Sequence, residues 1–340
     1  MNLAQAIQNK IGLKTKPTGS LGELERIAFQ IACVQGTTHP QIKLPTLLVF
    51  AGDHGIATTN LVSPFPQEVT HQMVMNFLQG GAAINVFSQQ NSINLKIIDS
   101  GVNYDFDPHP SLISAKISKG TRNYLEEPAM TQQQLDQSLA WGRQHILNLL
   151  HDDVNTVGFG EMGISNTSSA ALIMSAITQI PLEKCVGRGT GANDEQLLIK
   201  RKTLKEAQAK YTLDLDALEA LRHFGGFEIA QMCGAMLEAF EQNMILVVDG
   251  FISTAAFMVA YSLHPEIIKN TLFSHQSNEE GHAKMLQYLN AKPLLTLDLR
   301  LGEGTAVALA MPLIQSSILF LNQMASFDSA QVSNIDHHDS

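Results

Sequence analysis

Six short apolar runs separated by helix-period segments constrain the fold of this chain more than any other feature. Four of them end on glycine: Thr46-Leu-Leu-Val-Phe-Ala-Gly52, Leu95-Lys-Ile-Ile-Asp-Ser-Gly101, Asn155-Thr-Val-Gly-Phe-Gly160 and Met244-Ile-Leu-Val-Val-Asp-Gly250. Leu272-Phe-Ser-His275 and Leu294-Leu-Thr-Leu-Asp-Leu299 complete the set. Between them, periodicity predicts helices over 67–78, 82–89, 132–150, 167–177, 195–209, 227–242, 253–262 and 280–289. Strands alternating with helices specify a parallel sheet covered on both faces. The runs are continuously apolar, which is the pattern of strands buried on both sides. The expected class is therefore α/β, a mostly parallel sheet of about six strands flanked by helices. The first forty residues differ. Helical patterns over 2–11 and 21–35 surround Lys16-Pro-Thr-Gly-Ser-Leu-Gly22 with no strand. Joined by a final helix over 306–324, they predict a small helical domain (1–43 and 306–335) beside a large one (44–305). The tail from Ala330 is polar, and there is no internal repeat.

Composition narrows the function. Of 340 residues, 44% are hydrophobic and 16% charged, against a usual charged share of about 25%. That deficit points to hidden surface, as an oligomer interface would provide. A net charge of −10 argues against nucleic acid, which requires a basic footprint. A phosphorylated substrate would have to be held by local backbone N–H groups against the overall field. Cys33, Cys185 and Cys233 are odd in number and widely spaced, as expected of reduced thiols in the cytoplasm. No apolar leader and no uninterrupted apolar run of about 18 residues is seen, so neither a signal peptide nor a membrane span is expected.

Arg300-Leu-Gly-Glu303-Gly-Thr305 holds the first candidate for chemistry. A carboxylate between two glycines, after a strand and before a long apolar helix, sits where open α/β sheets bind ligands. Its plain alternative is a helix-capping acid. Gly158-Phe-Gly160-Glu161-Met-Gly163 matches a dinucleotide fingerprint in letters, but Glu161 would repel a pyrophosphate. Ser165-Asn166-Thr167-Ser168-Ser169 then enters a helix, and helix N–H groups with hydroxyls suit a single phosphate. A second loop, Gly187-Arg-Gly189-Thr-Gly191, leads to Lys200 and is placed to meet phosphate or ribose. Asp53-His54 at the first strand's end is a weak metal candidate without metal spacing. Asp336-His337-His338 resembles a phosphoesterase motif in letters only. Met73, Met75 and Phe77 at helical spacing read mainly as core, or as a flat pocket for an aromatic ring. No nucleophile elbow or Walker loop is present.

The chain resembles the nicotinate-nucleotide–dimethylbenzimidazole phosphoribosyltransferases of cobalamin lower-ligand synthesis. The residues that carry this are Lys16–Gly22, Ala51-Gly-Asp-His-Gly55, Phe65-Pro-Gln-Glu-Val-Thr70, Gly80-Gly-Ala-Ala-Ile-Asn85 and Gly160-Glu-Met-Gly-Ile164. His223-Phe-Gly-Gly-Phe-Glu228, Asp249-Gly-Phe-Ile-Ser253 and Arg300–Thr305 continue it through nearly the whole chain. Two departures stand out: Ser165 and Ala306 occupy positions where glycine is expected. The resemblance implies a Rossmann-like sheet, a helical domain built from the chain ends, a homodimer, and no cofactor or metal. It implies transfer of phosphoribose from nicotinate mononucleotide to dimethylbenzimidazole, giving α-ribazole 5'-phosphate and nicotinate. It implies Glu303 as general base and Ser63, Phe65, Met73 and Phe77 near the benzimidazole. Glu161, Gly163, Asn166, Thr167, Gly187, Gly189, Lys200 and Leu301 are implied around the substrates. The rival reading is a nicotinamide-dinucleotide oxidoreductase using Gly158 to Gly163.

Overall fold

The computed structural model describes residues 2–189, 191–211 and 215–333. Asp336-His337-His338, Thr190 and the last two positions of the expected helical domain lie outside the described residues. One sheet of seven strands forms the centre: β1 (Thr46–Gly52), β2 (Asn94–Gly101), β3 (Leu112–Ser114), β4 (Thr156–Met162), β5 (Ile245–Val248), β6 (Thr271–His275) and β7 (Pro293–Leu295). Their order is β3-β2-β1-β4-β5-β6-β7, and every pairing is parallel. This is the Rossmann order, with its reversal between β1 and β4.

The apolar runs become strands because each feeds two cores at once. In β1, Leu48 and Phe50 enter one core while Leu47, Val49 and Ala51 enter the other. Ile98, Phe159 and Val248 repeat the first assignment, and Ile97, Val247 and Leu272 the second. Side chains alternate across a strand, and burying each contributes about 1.5–3 kcal/mol. Helices Gln132–Leu150, Asn166–Thr178, Phe227–Glu241 and Phe251–Leu263 cover the first face. Helices Glu23–Val34, Val69–Leu78, Ala83–Gln90 and Thr305–Gln323 cover the second. A third, small core of Ile7, Ile11, Ala28, Ala32 and Leu321 joins the chain ends, where the helical satellite is expected.

Three details depart from the sequence reading. The seventh strand, β3, has three residues, none fully buried, so no apolar run announces it. β7 stops at Leu295, and the chain from Thr296 to Gly304 is a loop. Helix Thr305–Gln323 is long and apolar enough to cross a membrane by length and composition, although no such run was expected. Its polar interruptions, Gln315, Ser316 and Ser317, conceal this in a simple scan. The helix is half buried, with Val307, Ala308, Met311 and Ile314 in the second core.

Candidate active site

The turn that carries Glu303 is left-handed at three successive residues: Gly302 (φ 83°), Glu303 (63°) and Gly304 (80°). A side chain in this region costs about 1–2 kcal/mol, so the conformation must be held from outside. Asp249, just past β5, does this. Its Oδ2 accepts from the Gly304 N–H (3.1 Å) and its Oδ1 from the Ala306 N–H (3.0 Å). Gly160 on β4 completes the seat. A Cβ there would stand 2.5 Å from the Gly304 nitrogen and 2.6 Å from the Glu303 carbonyl carbon.

Glu303 is 5% exposed, and its Oε2 has no hydrogen-bond partner. Burial pushes its carboxyl up to about 7. Two more acids stand close by. Burial raises Asp249 to about 7, against the backbone N–H groups that favour its ionised form. Glu161, at the end of β4, is raised to about 8 by burial and then by Asp249, while Asn166, which donates to it, opposes the shift. Glu303 adds to the repulsion at both acids. Three such carboxyls titrate as a set and do not all ionise near neutral pH.

Beside the acids lies an anion cradle. Helix Asn166–Thr178 starts from Ser165 at φ 81° with no side-chain cap. The hydroxyl of Ser165 is buried without a partner. The positive φ explains why glycine is expected at Ser165. Lys200, 1% exposed, donates from Nζ to Thr167 Oγ1 at 3.0 Å. Burial lowers it to about 8, with Glu279 pulling the other way. Gly189 sits over this pair, so near that a Cβ would lie 3.1 Å from Thr167 Oγ1. Uncapped helix N–H groups beside a buried ammonium suit a phosphate.

One crevice therefore gathers Glu161, Gly163, Asn166, Thr167, Gly189 and Leu301 from the expected set. Glu303 adjoins it through Gly302, Lys200 through Thr167, and Gly187 through Glu279, which a Cβ at Gly187 would strike. Four expected residues are not brought there. Phe77 is packed in the second core and Met73 lies against that core, so their helical spacing reports packing. Phe65 is exposed. Ser63 accepts from the Phe65 N–H at 3.1 Å and lines a separate pocket with Leu61, Gln196 and Ile199.

Asp249, His275, Glu279 and Arg300 also line the crevice and were not singled out in the sequence as site residues. For Asp249 and His275 a signal exists: each polar residue ends or follows an apolar run at a strand's carboxyl end. His54 has both ring nitrogens engaged, with Glu228 Oε1 at 2.6 Å and Ser169 Oγ at 3.0 Å. Among the described residues, no group of three or more His, Cys, Asp or Glu is placed to hold a metal. Gly158 and Gly160 lie inside β4, against Val307 and the Glu303 turn. The oxidoreductase reading thus finds no pyrophosphate turn at these glycines.

Comparison with known proteins agrees with this architecture. The DBI_PRT family model, described as phosphoribosyltransferase, matches residues 1–332. A nicotinate-nucleotide–dimethylbenzimidazole phosphoribosyltransferase from Aromatoleum aromaticum is 52% identical over 330 residues, covering 97% of this chain and 96% of that protein. One of the same name from Photobacterium profundum is 52% identical over 327 residues, covering 96% and 95%. The crystal structure of CobT from Thermus thermophilus superposes with a TM-score of 0.94 at 38% identity, covering 98% of this chain and 99% of that one. With the whole length matched in sequence and in fold, the chain belongs to the nicotinate-nucleotide–dimethylbenzimidazole phosphoribosyltransferase family of pentosyltransferases.

Proposed function

We propose that the chain transfers the phosphoribosyl group of nicotinate mononucleotide to dimethylbenzimidazole, releasing nicotinate and α-ribazole 5'-phosphate. The observation that carries this reading is the Glu303 carboxyl, buried beside the crevice with Oε2 unpartnered. A buried acceptor without a donor is costly unless a ligand supplies one. A benzimidazole ring N–H is such a donor.

The chemistry follows from charge. The departing nicotinate is a pyridinium before its bond to C1′ breaks, so no acid is needed to release it. The neutral benzimidazole attacks C1′ from the opposite face and inverts β to α. It becomes cationic as it does so, and loss of its N–H proton to Glu303 relieves that charge. Positive charge also grows on the ribose in the transition state, and the negative charge shared among Glu161, Asp249 and Glu303, which do not all ionise together, stabilises it. The pyridinium helps to create its own base, because an adjacent cation favours the ionised form of a carboxyl. The phosphate falls to the Asn166–Thr178 helix N-terminus, Thr167 and Lys200.

The test is chromatography of the protein incubated with nicotinate mononucleotide and dimethylbenzimidazole. The expected result is equimolar free nicotinate and ribazole phosphate, formed only when both substrates are present. Absence of nicotinate, or its release without dimethylbenzimidazole, would reject the proposal.

A further inference from the structure

Taking the proposed donor as given, we infer that Arg300 selects a pyridine nucleotide bearing a carboxylate, nicotinate rather than nicotinamide, by pairing its guanidinium with that group. The donor carries two anionic ends, a phosphate and a ring carboxylate. Three residues of the crevice lining are acids, Glu161, Asp249 and Glu279. His275 adds no charge near neutral pH, because burial lowers it to about 4. Acids, whether ionised or protonated, and a neutral imidazole give a nicotinate carboxylate no counter-charge, so without a cation the neutral amide is not at a disadvantage.

Two cations are available to supply that counter-charge, and the structure has already committed one. Lys200 is bound to Thr167 in the phosphate cradle. Arg300 is the remaining one, the only Lys or Arg of the crevice lining among the described residues. It is exposed, and among the described residues it makes no ion pair or side-chain hydrogen bond. It lines the crevice with Glu279, whose carboxyl burial raises and the Arg300 guanidinium partly lowers again. It thus stands at the crevice, three residues before Glu303 on the same loop. Guanidinium and carboxylate match as two parallel hydrogen bonds, whereas a carboxamide offers one acceptor oxygen and no charge.

The experiment compares nicotinate mononucleotide with nicotinamide mononucleotide as donors, with dimethylbenzimidazole saturating, for wild type, Arg300→Gln and Arg300→Lys. Wild type is expected to prefer the nicotinate nucleotide. Arg300→Gln is expected to lose about 10- to 100-fold in kcat/KM for that donor, the loss of a charge-assisted contact. It should leave the nicotinamide donor nearly unchanged, and Arg300→Lys should recover part of the preference. An equal loss for both donors would assign Arg300 to the phosphate or to folding and overturn the inference; so would no loss for either. Calorimetric binding of the two nucleotides repeats the comparison without turnover. An Arg300-dependent preference in binding without transfer would uphold Arg300 and reject the proposed reaction.

Discussion

At the scale of single residues, the site is defined by acids that the fold keeps from water. Glu161 shows the consequence for stability. Its folded carboxyl is raised to about 8, above the value of an unfolded glutamate at about 4.3. Between these values the folded state binds more protons than the unfolded one, so stability falls as pH rises through the window. The penalty is absent below it and complete above it. Glu161→Gln removes the charge and can still accept from Asn166. The variant is expected to melt higher than wild type at pH 9 and alike at pH 4, as read by calorimetric melting at the two pH values. An offset of the same size at both would contradict the burial of an ionisable acid. Which single residues could be read in the sequence follows from the same physics. Glu161, Thr167 and Glu303 lie in glycine- or serine-rich stretches that advertise themselves. Asp249 carries only the weaker signal of following an apolar run, and Glu279 and Arg300 reach the crevice from loops that only the assembled fold brings together. Met73 and Phe77 carry a helical spacing shared by core and pocket residues, so the pattern cannot separate the two.

At the scale of elements, the turn 302–304 and the strand beneath it form one unit. The turn is closed by its own Thr305 N–H to Gly302 carbonyl bond (3.0 Å), and the cost of its left-handed backbone falls on Glu303. Asp249 holds it from β5, and Gly160 lets it lie against β4. Gly160→Ala would force backbone atoms of Glu303 and Gly304 to move, since nothing flexible lies in the way. Overpacking of this kind costs about 1–3 kcal/mol. The expected outcome is a folded protein with a lowered melting midpoint and turnover reduced by more than about tenfold. Unchanged turnover in a destabilised variant would show that the seat is structural only. The sequence places the strands well but puts Glu303 directly after a strand running to Leu299. In fact β7 ends at Leu295, and the crevice lining on this loop begins at Arg300. The sequence reading also leaves out the helix Ala217–Phe224.

At the scale of the whole molecule, two cores lie on opposite faces of one sheet, and the strand order brings the acids beside the Asn166–Thr178 helix N-terminus. This much is readable from alternating apolar runs and helices, since burial on both faces leaves few other solutions. The division of labour within the crevice is less readable, because it depends on loops whose ends lie far apart in the chain. All of it converges on one proton transfer. The most direct measurement is turnover of Glu303→Gln as a function of pH, with binding of nicotinate mononucleotide followed by calorimetry on the same protein. The account expects nucleotide affinity within about threefold of wild type and turnover lower by about 10²–10⁴. It also expects the wild-type kcat/KM profile to carry an acid limb near pH 7, where burial places Glu303, and the variant to lose it. Turnover and a pH profile like those of wild type would contradict it.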